Sequence, residues 1–203
     1  MMPINVICRC DVEVFDHSLA VVAVDGGLAY ALNNQMTIEV AIGDFDSVPS
    51  ELLTQYSGKI IEYNQIKNDS DLALAFDYLE HYSGVVNVYG ALGKRFDHSW
   101  INLKLLYYRD LNIHYYDSDN HIFALNDGEF KIKKGNYKYL SLFTFADCLI
   151  TISGVKYPLQ AYQLKVSDTL NLSNEILAAE ATIEVRGKVI VVLSDKITSP
   201  KQF

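Results

Sequence analysis

A chain of 203 residues that is half hydrophobic has enough apolar material to bury a sizeable core, and a globular protein is expected. Its formal charge of −8 excludes generic binding to nucleic acid or to an anionic membrane surface, both of which need a basic face. The opening Met1-Met2-Pro3-Ile4-Asn5-Val6-Ile7 lacks the basic flank and long apolar run of a signal peptide, and no later segment has the length of a membrane span, so a cytoplasmic location is expected.

Short runs rich in Val and Ile at 4–9 and 20–25 predict strands, with the acidic segment Asp11 to Asp16 between them. Cys8 and Cys10 have no second ligand pair at zinc spacing, and with Cys148 they make an odd count, which predicts buried thiols. Asp25-Gly26-Gly27 closes the second strand. Asp25 there suits either a turn or helix cap, or a strand-end contact to a nucleotide that the glycines let approach closely. Leu28 to Leu32 suit a short helix ended by Asn33-Asn34, and 38–43 a third strand.

That strand runs into Gly43-Asp44-Phe45-Asp46-Ser47, the stretch around which the chain is organised. An Asp-x-Asp at a strand end is ordinary turn chemistry, and it is also well placed to hold a hard cation through oxygen. Pro49 predicts a helix over about 49–57, and Lys59 to Tyr63 a strand. Asn68-Asp69-Ser70-Asp71 opens the next helix; Asp69 or Ser70 can cap it, and Asp71 in its first turn is favoured by the helix dipole whether or not it binds metal. Val85 to Tyr89 form a strand, Gly90-Ala91-Leu92-Gly93 a loop, Arg95 to Tyr108 a helix and Ile113 to Tyr116 a strand. Five or six βα units in about 117 residues predict an α/β domain over 1–119, its sheet mainly parallel with helices on both faces.

Beyond Asp117-Ser118-Asp119-Asn120 the rhythm turns to short β runs, at 121–125, 129–133, 138–145, 148–152, 162–166, 180–186 and 188–193, which predicts an all-β domain over 120–203. Asn126-Asp127-Gly128, Lys134-Gly135-Asn136 and Arg186-Gly187-Lys188 suit hairpin turns. The polar loop Asn171-Leu172-Ser173-Asn174-Glu175 is either a solvated turn or a ligand contact, and Gly154 to Leu159, with Tyr157, either a plain connection or part of a site.

Taken in order, Asp25-Gly26-Gly27, Gly43 to Ser47, Asp69-Ser70-Asp71, Gly90 to His98, Gly154 to Leu159 and Ser173-Asn174-Glu175 resemble the thiamine pyrophosphokinase family over essentially the whole chain. The resemblance implies transfer of a diphosphoryl group from ATP to the hydroxyl of thiamine, giving thiamine diphosphate and AMP. It also implies a homodimer, its active site between the α/β domain of one subunit and the β-sandwich of the other. By motif position, Asp44, Asp46 and Asp71 look like magnesium ligands. Asp25, Gly26, Gly27, Asn68, Asp69, Arg95 and Asp97 look like nucleotide or phosphate residues, and Ser173, Asn174 and Tyr157 like thiamine contacts. Cys8-Arg9-Cys10-Asp11 departs from the family pattern, standing where relatives carry a small glycine-bearing turn.

These residue types suit that chemistry. ATP entering a site with at least three carboxylates needs a divalent cation against repulsion, and magnesium accepts an octahedral shell of carboxylate, water and phosphate oxygens. Arg95 has the fork geometry for two phosphate oxygens, while Asp97 can orient it, bind metal or accept the hydroxyl proton. Thiamine is a cation with aromatic rings, which Tyr157 can stack on and Ser173 or Asn174 can anchor. Two rival readings stay open on residues alone: another metal-dependent phosphotransferase or phosphatase using an Asp nucleophile, and a non-catalytic thiamine- or nucleotide-binding sensor.

Overall fold

The computed structural model describes residues 1–9, 11–46, 48–63, 69–93 and 95–196, and within them the chain forms two compact units, Met1–Asp117 and Ser118–Phe203. In the first, strands β1 (Ile4–Ile7), β2 (Val21–Val24), β3 (Ile38–Gly43), β4 (Ile60–Glu62), β5 (Val85–Tyr89) and β6 (Asn112–Tyr116) line up as β4-β3-β2-β1-β5-β6, every pair parallel. Helices α1 (Gly27–Asn33), α2 (Ser50–Gln55), α3 (Asp71–Tyr78) and α4 (Phe96–Tyr108) make the crossovers after β2, β3, β4 and β5. The almost wholly apolar sequences of β1 and β2 follow from burial of both faces; every residue of these strands is buried, and the one polar residue, Asn5, spends its amide on Asp16 O at 2.7 Å. Ile7, Val21, Ala23 and Ala41 face one layer with Leu28 and Ala31 of α1; by the pleat, Val6, Val22, Val40 and Ile42 point to the other.

The strand order winds outward from β1 through β2, β3 and β4, then returns to β1's other side with β5. The connections reverse direction between β1 and β5, and ligands bind at the carboxyl ends of strands beside such a reversal. Ile7 stands opposite Ala23 and Tyr89, and Val24 opposite Ile42, so Cys8, Asp25, Gly43 and Gly90 leave the sheet at nearly one level.

The second unit is an antiparallel sandwich of strands β7 (His121–Leu125), β8 (Gly128–Lys133), β9 (Tyr137–Phe143), β10 (Cys148–Ser153), β11 (Leu159–Leu164), β12 (Glu180–Arg186) and β13 (Val189–Lys196). One layer runs β7-β13-β9, the other β11-β10-β12-β8, and Leu125, Leu142, Ile150, Ile183 and Val191 meet in a shared core.

Three hairpin expectations fail together. Asn126-Asp127-Gly128, Lys134-Gly135-Asn136 and Arg186-Gly187-Lys188 each carry the chain from one layer to the other: β7 pairs with β13 while β8 pairs with β12. A short polar turn dictates a reversal without dictating which layer the returning strand joins. Here two crossovers are tied together, with Gly187 N–H donating to Asp127 Oδ1 at 2.7 Å. The sequential antiparallel pair is β10 with β11, joined through Gly154 to Pro158. β11 ends earlier than the 162–166 run predicts, because the N–H groups of Lys165 and Val166 go to Asp168 Oδ2 and Asp147 Oδ1 instead of a neighbouring strand. α2 is shorter than expected: Pro49 precedes it with ψ 131°, and Tyr56 leaves it in extended backbone. Among the described residues no helix is long and apolar enough to cross a membrane.

Candidate active site

At the carboxyl edge of the first unit the chain places Asp25 at the end of β2, Asp44 and Asp46 after β3, and Asp71 at the start of α3. Asp25 takes a left-handed conformation (φ 45°), as does Phe45 (φ 56°), a strain that side chains seldom adopt unless the surroundings hold them there. Asp25 Oδ1 accepts from Asp44 N–H at 3.2 Å, and Asp44 Oδ1 accepts from Asp46 N–H at 3.2 Å, so the two acids after β3 hang from the one after β2. Ser70 caps α3, its hydroxyl accepting from Ala73 N–H at 3.3 Å, which directs Asp71 toward Asp25.

The Asp25 carboxyl is pushed up to about 7, first by its burial and then by the Asp71 charge, the hydrogen bond it shares with Asp71, and Asp44. The same surroundings, led by burial, push the Cys8 thiol up to about 12, so Cys8 is no thiolate nucleophile. Asp25 therefore holds a proton when folded that it loses when unfolded, between its unfolded value of about 4 and about pH 7. The Asp25 contribution to native stability is greatest below that window and falls away as pH rises through it. Asp25→Asn, which mimics the protonated acid, is expected to flatten that fall in metal-free protein; thermal melts in chelator whose Tm falls equally from pH 4 to 7 in both proteins would contradict it.

A cavity of about 270 Å³ opens here, lined by Asp25, Asp71, Gly90 to Gly93, Arg95, His98 and Asn102 among others. The Gly90 to Gly93 loop is braced from α4: Asn102 Nδ2 donates to Ala91 O at 2.6 Å, and Ser99 Oγ accepts from Gly93 N–H at 3.1 Å. A second cavity, of about 530 Å³, is lined by Cys8, Arg9, Asp11, Asp25, Gly26, Ala29, Asn33, Pro49 and Leu52. Gly27, at the start of α1, packs against the end of β1 with no room to grow, since a Cβ there would fall 1.8 Å from Ile7 O.

Of the acids predicted at the site, Asp25 and Asp71 line the first cavity; Asp44 touches Asp25, while Asp46 and Asp69 are exposed and line neither cavity. Among the described residues, no three His, Cys, Asp or Glu side chains form a metal-holding group as they stand. The donors gathered at this edge are carboxylate oxygens, the chemistry of a hard cation, and after burial it is the neighbouring Asp71 and Asp44 that raise Asp25. Arg95 lines the cavity and forks onto Asp97, Nη2 to Oδ2 at 2.6 Å and Nε to Oδ1 at 3.3 Å. That bond holds Asp97 below the usual carboxylate range, which suits an orienting partner better than a proton acceptor. Asn68 lies outside the described residues.

In the second unit Tyr157, Ser173 and Asn174 come together. Asn174 is buried, its Oδ1 accepting from Tyr157 N–H at 3.0 Å and its Nδ2 donating to Tyr157 O at 2.8 Å. Its amide is spent on clasping two loops, leaving the exposed Tyr157 ring and the exposed Ser173, itself at φ 59°, above it. Beside them Asn171 buries an Nδ2 that meets no acceptor among the described residues. Sequence reasoning missed Arg9, Ser99 and Asn102. Ser99 and Asn102 are polar residues three apart on the α4 face that meets the loop, and Arg9 follows a strand end as the flagged acids do.

A parallel sheet with an acidic cavity at its carboxyl edge, carried on one chain with an antiparallel sandwich, defines a two-part protein: an α/β ligand-handling unit and a β unit. Residues 12–116 match the family model for the thiamin pyrophosphokinase catalytic domain and 129–190 that for the thiamin pyrophosphokinase vitamin B1 binding domain. The thiamine pyrophosphokinase of Bacillus subtilis is 29% identical over 188 residues, covering 88% of this chain and 87% of its own; one from Arabidopsis thaliana is 27% identical over 187 residues, covering 84% and 70%. The crystal structure of the Bacillus subtilis enzyme superposes with a TM-score of 0.85 at 27% identity over 95% of this chain and 99% of that one. The Candida albicans thiamin pyrophosphokinase, at 17% identity and TM-score 0.73 over 95% and 90%, shares the fold. The chain belongs to the thiamin pyrophosphokinase family and is an enzyme of that family.

Proposed function

We propose that this protein transfers the diphosphoryl group of ATP to the hydroxyl of thiamine, releasing AMP and thiamine diphosphate, with magnesium as cofactor. The observation that carries the reading is the Asp25, Asp44 and Asp71 cluster facing Arg95 and the Gly90 to Gly93 loop at one sheet edge, in a chain whose two halves match the two domains of this family.

Asp44, Asp46 and Asp71 would hold the magnesium, with Asp25 beside them. When bound, the ion would neutralise the carboxylates and the polyphosphate and stabilise charge on the departing oxygen. Gly26, Gly27 and Asp25 border the nucleotide, with Asp69 at the approach to α3. Arg95, held by Asp97, clamps non-bridging phosphate oxygens in a fork that no lysine reproduces. The thiamine hydroxyl attacks the β-phosphorus, the bond from that phosphorus to the oxygen of the α-phosphate breaks, and the hydroxyl proton is lost. On the thiamine side, the Tyr157 ring stacks on the cationic vitamin and Ser173 offers a hydroxyl, both seated by Asn174.

A homodimer fits what each unit leaves uncovered. On α4, Phe96, Trp100 and Ile101 are exposed, and on the sandwich so are Tyr157, Leu170, Leu172 and Leu177; a second copy would cover these faces. The free thiols of Cys8 and Cys148 suit the reducing cytoplasm.

Incubating the protein with magnesium, ATP and thiamine is expected to yield AMP and thiamine diphosphate in equal amounts, abolished by a chelator. ADP with thiamine monophosphate would mark a simple kinase, and tight binding without turnover a sensor.

A further inference from the structure

Arg9 follows β1 at the reversal between β1 and β5, and its side chain lines both cavities, at the partition between them. Asp11 grips one edge of its guanidinium, Nε to Oδ1 at 2.8 Å and Nη2 to Oδ2 at 2.7 Å, while Nη1 reaches across to Leu92 O at 3.3 Å. The loop that receives it is shaped for it: a Cβ on Gly93 would lie 2.0 Å from Nη1, and one on Gly90 3.2 Å from Arg9 Cβ. Arg9 is also the more interior of the two described arginines at this edge, its side chain 35% exposed against 70% for Arg95. A local ion pair two residues apart contributes little by itself, and it does not require the arginine to lie across a glycine loop some eighty residues away.

We propose that Arg9 is a nucleotide-binding residue, a guanidinium fixed at the partition between the two cavities to receive polyphosphate oxygens, with Asp11 as its positioning partner. This rests on the reading that ATP occupies the carboxyl edge. Its chemistry follows from charge: Asp25, Asp44 and Asp71 repel an incoming polyphosphate, and a half-buried, pre-oriented fork opposes that repulsion from inside the cavity. A lysine cannot hold Asp11 and the Leu92 carbonyl in one plane as the guanidinium does.

The test uses full-length Arg9→Ala, Arg9→Lys and Asp11→Asn, with calorimetric binding of a non-hydrolysable ATP analogue in magnesium alongside KM for each substrate. Arg9→Ala is expected to weaken analogue binding and raise KM for ATP about ten- to hundredfold. KM for thiamine should stay within about twofold, Arg9→Lys should fail to rescue, and Asp11→Asn should fall between wild type and Arg9→Ala. Unchanged analogue binding by Arg9→Ala overturns the proposal, as does an equal rise in both KM values with a lowered Tm. A wild-type protein that binds the analogue but releases no AMP defeats the transfer reading while leaving Arg9 to be judged by binding. One that binds no analogue overturns both.

Discussion

Gly43→Ala is expected to cost about 10²-fold or more in kcat while leaving a folded protein. Gly43 sits at φ 152°, a backbone conformation that side chains rarely adopt, and a Cβ there would lie 1.8 Å from Asp25 Oδ1 and 2.8 Å from its Cγ. The methyl and the carboxylate cannot share that space. The yielding group is the Asp25 side chain, which is the acceptor for Asp44 N–H, so the displacement travels to both acids after β3. The stability loss should be modest, about 1–3 kcal/mol, as for other overpacked sites. Gly135→Ala is the control, since its Cβ would meet nothing closer than Lys133 O at 4.0 Å, and it should be silent. Steady-state kinetics and thermal melts on the two variants check the pair; a Gly43→Ala enzyme with wild-type kcat would mean that Asp25 has no part in the reaction.

Asp71→Asn is expected to separate activity from stability. The substitution keeps the shape at the start of α3 and removes the charge facing Asp25, so the carboxylate repulsion that raises Asp25 is relieved. The lost interaction with the helix dipole is worth about 0.3–1 kcal/mol and opposes that gain, so Tm should change little. Turnover, in contrast, should fall on the order of 10²- to 10³-fold, because a neutral amide neither balances a divalent ion nor fixes the polyphosphate. Kinetics over a magnesium series and melts in chelator measure the two effects. A large Tm loss with kcat preserved would make Asp71 a structural residue.

Much of this arrangement could be read directly from residues, and the exceptions have physical causes. The β-then-α rhythm announces the parallel sheet because strands buried on both faces must be largely apolar, as Val21 to Val24 are throughout and Ile4 to Ile7 are but for Asn5. Strand-end acids are conspicuous for the same reason: Asp25 and Asp44 interrupt apolar runs. Arg9 is equally placed, but nothing local says that a guanidinium after β1 will lie against a loop after β5. That contact follows from the strand order, which has no local signature. Asn174 shows what a loop sequence leaves out: its polarity points to a ligand contact, and nothing local says that its amide will also pair with the Tyr157 backbone. The sandwich crossovers fail as hairpins because turn chemistry is local and layer choice is decided by the core that β7, β9 and β13 make with the other four strands.

Manganese(II) titration followed by the electron paramagnetic resonance of the free ion addresses the convergence of these acids on one divalent cation. In the presence of the ATP analogue, wild-type protein should sequester the ion, and Asp44→Asn and Asp71→Asn, each from a different element of the fold, should separately weaken its uptake by about tenfold or more. Manganese binding that is the same in wild type and in both variants would contradict a metal site built from these aspartates.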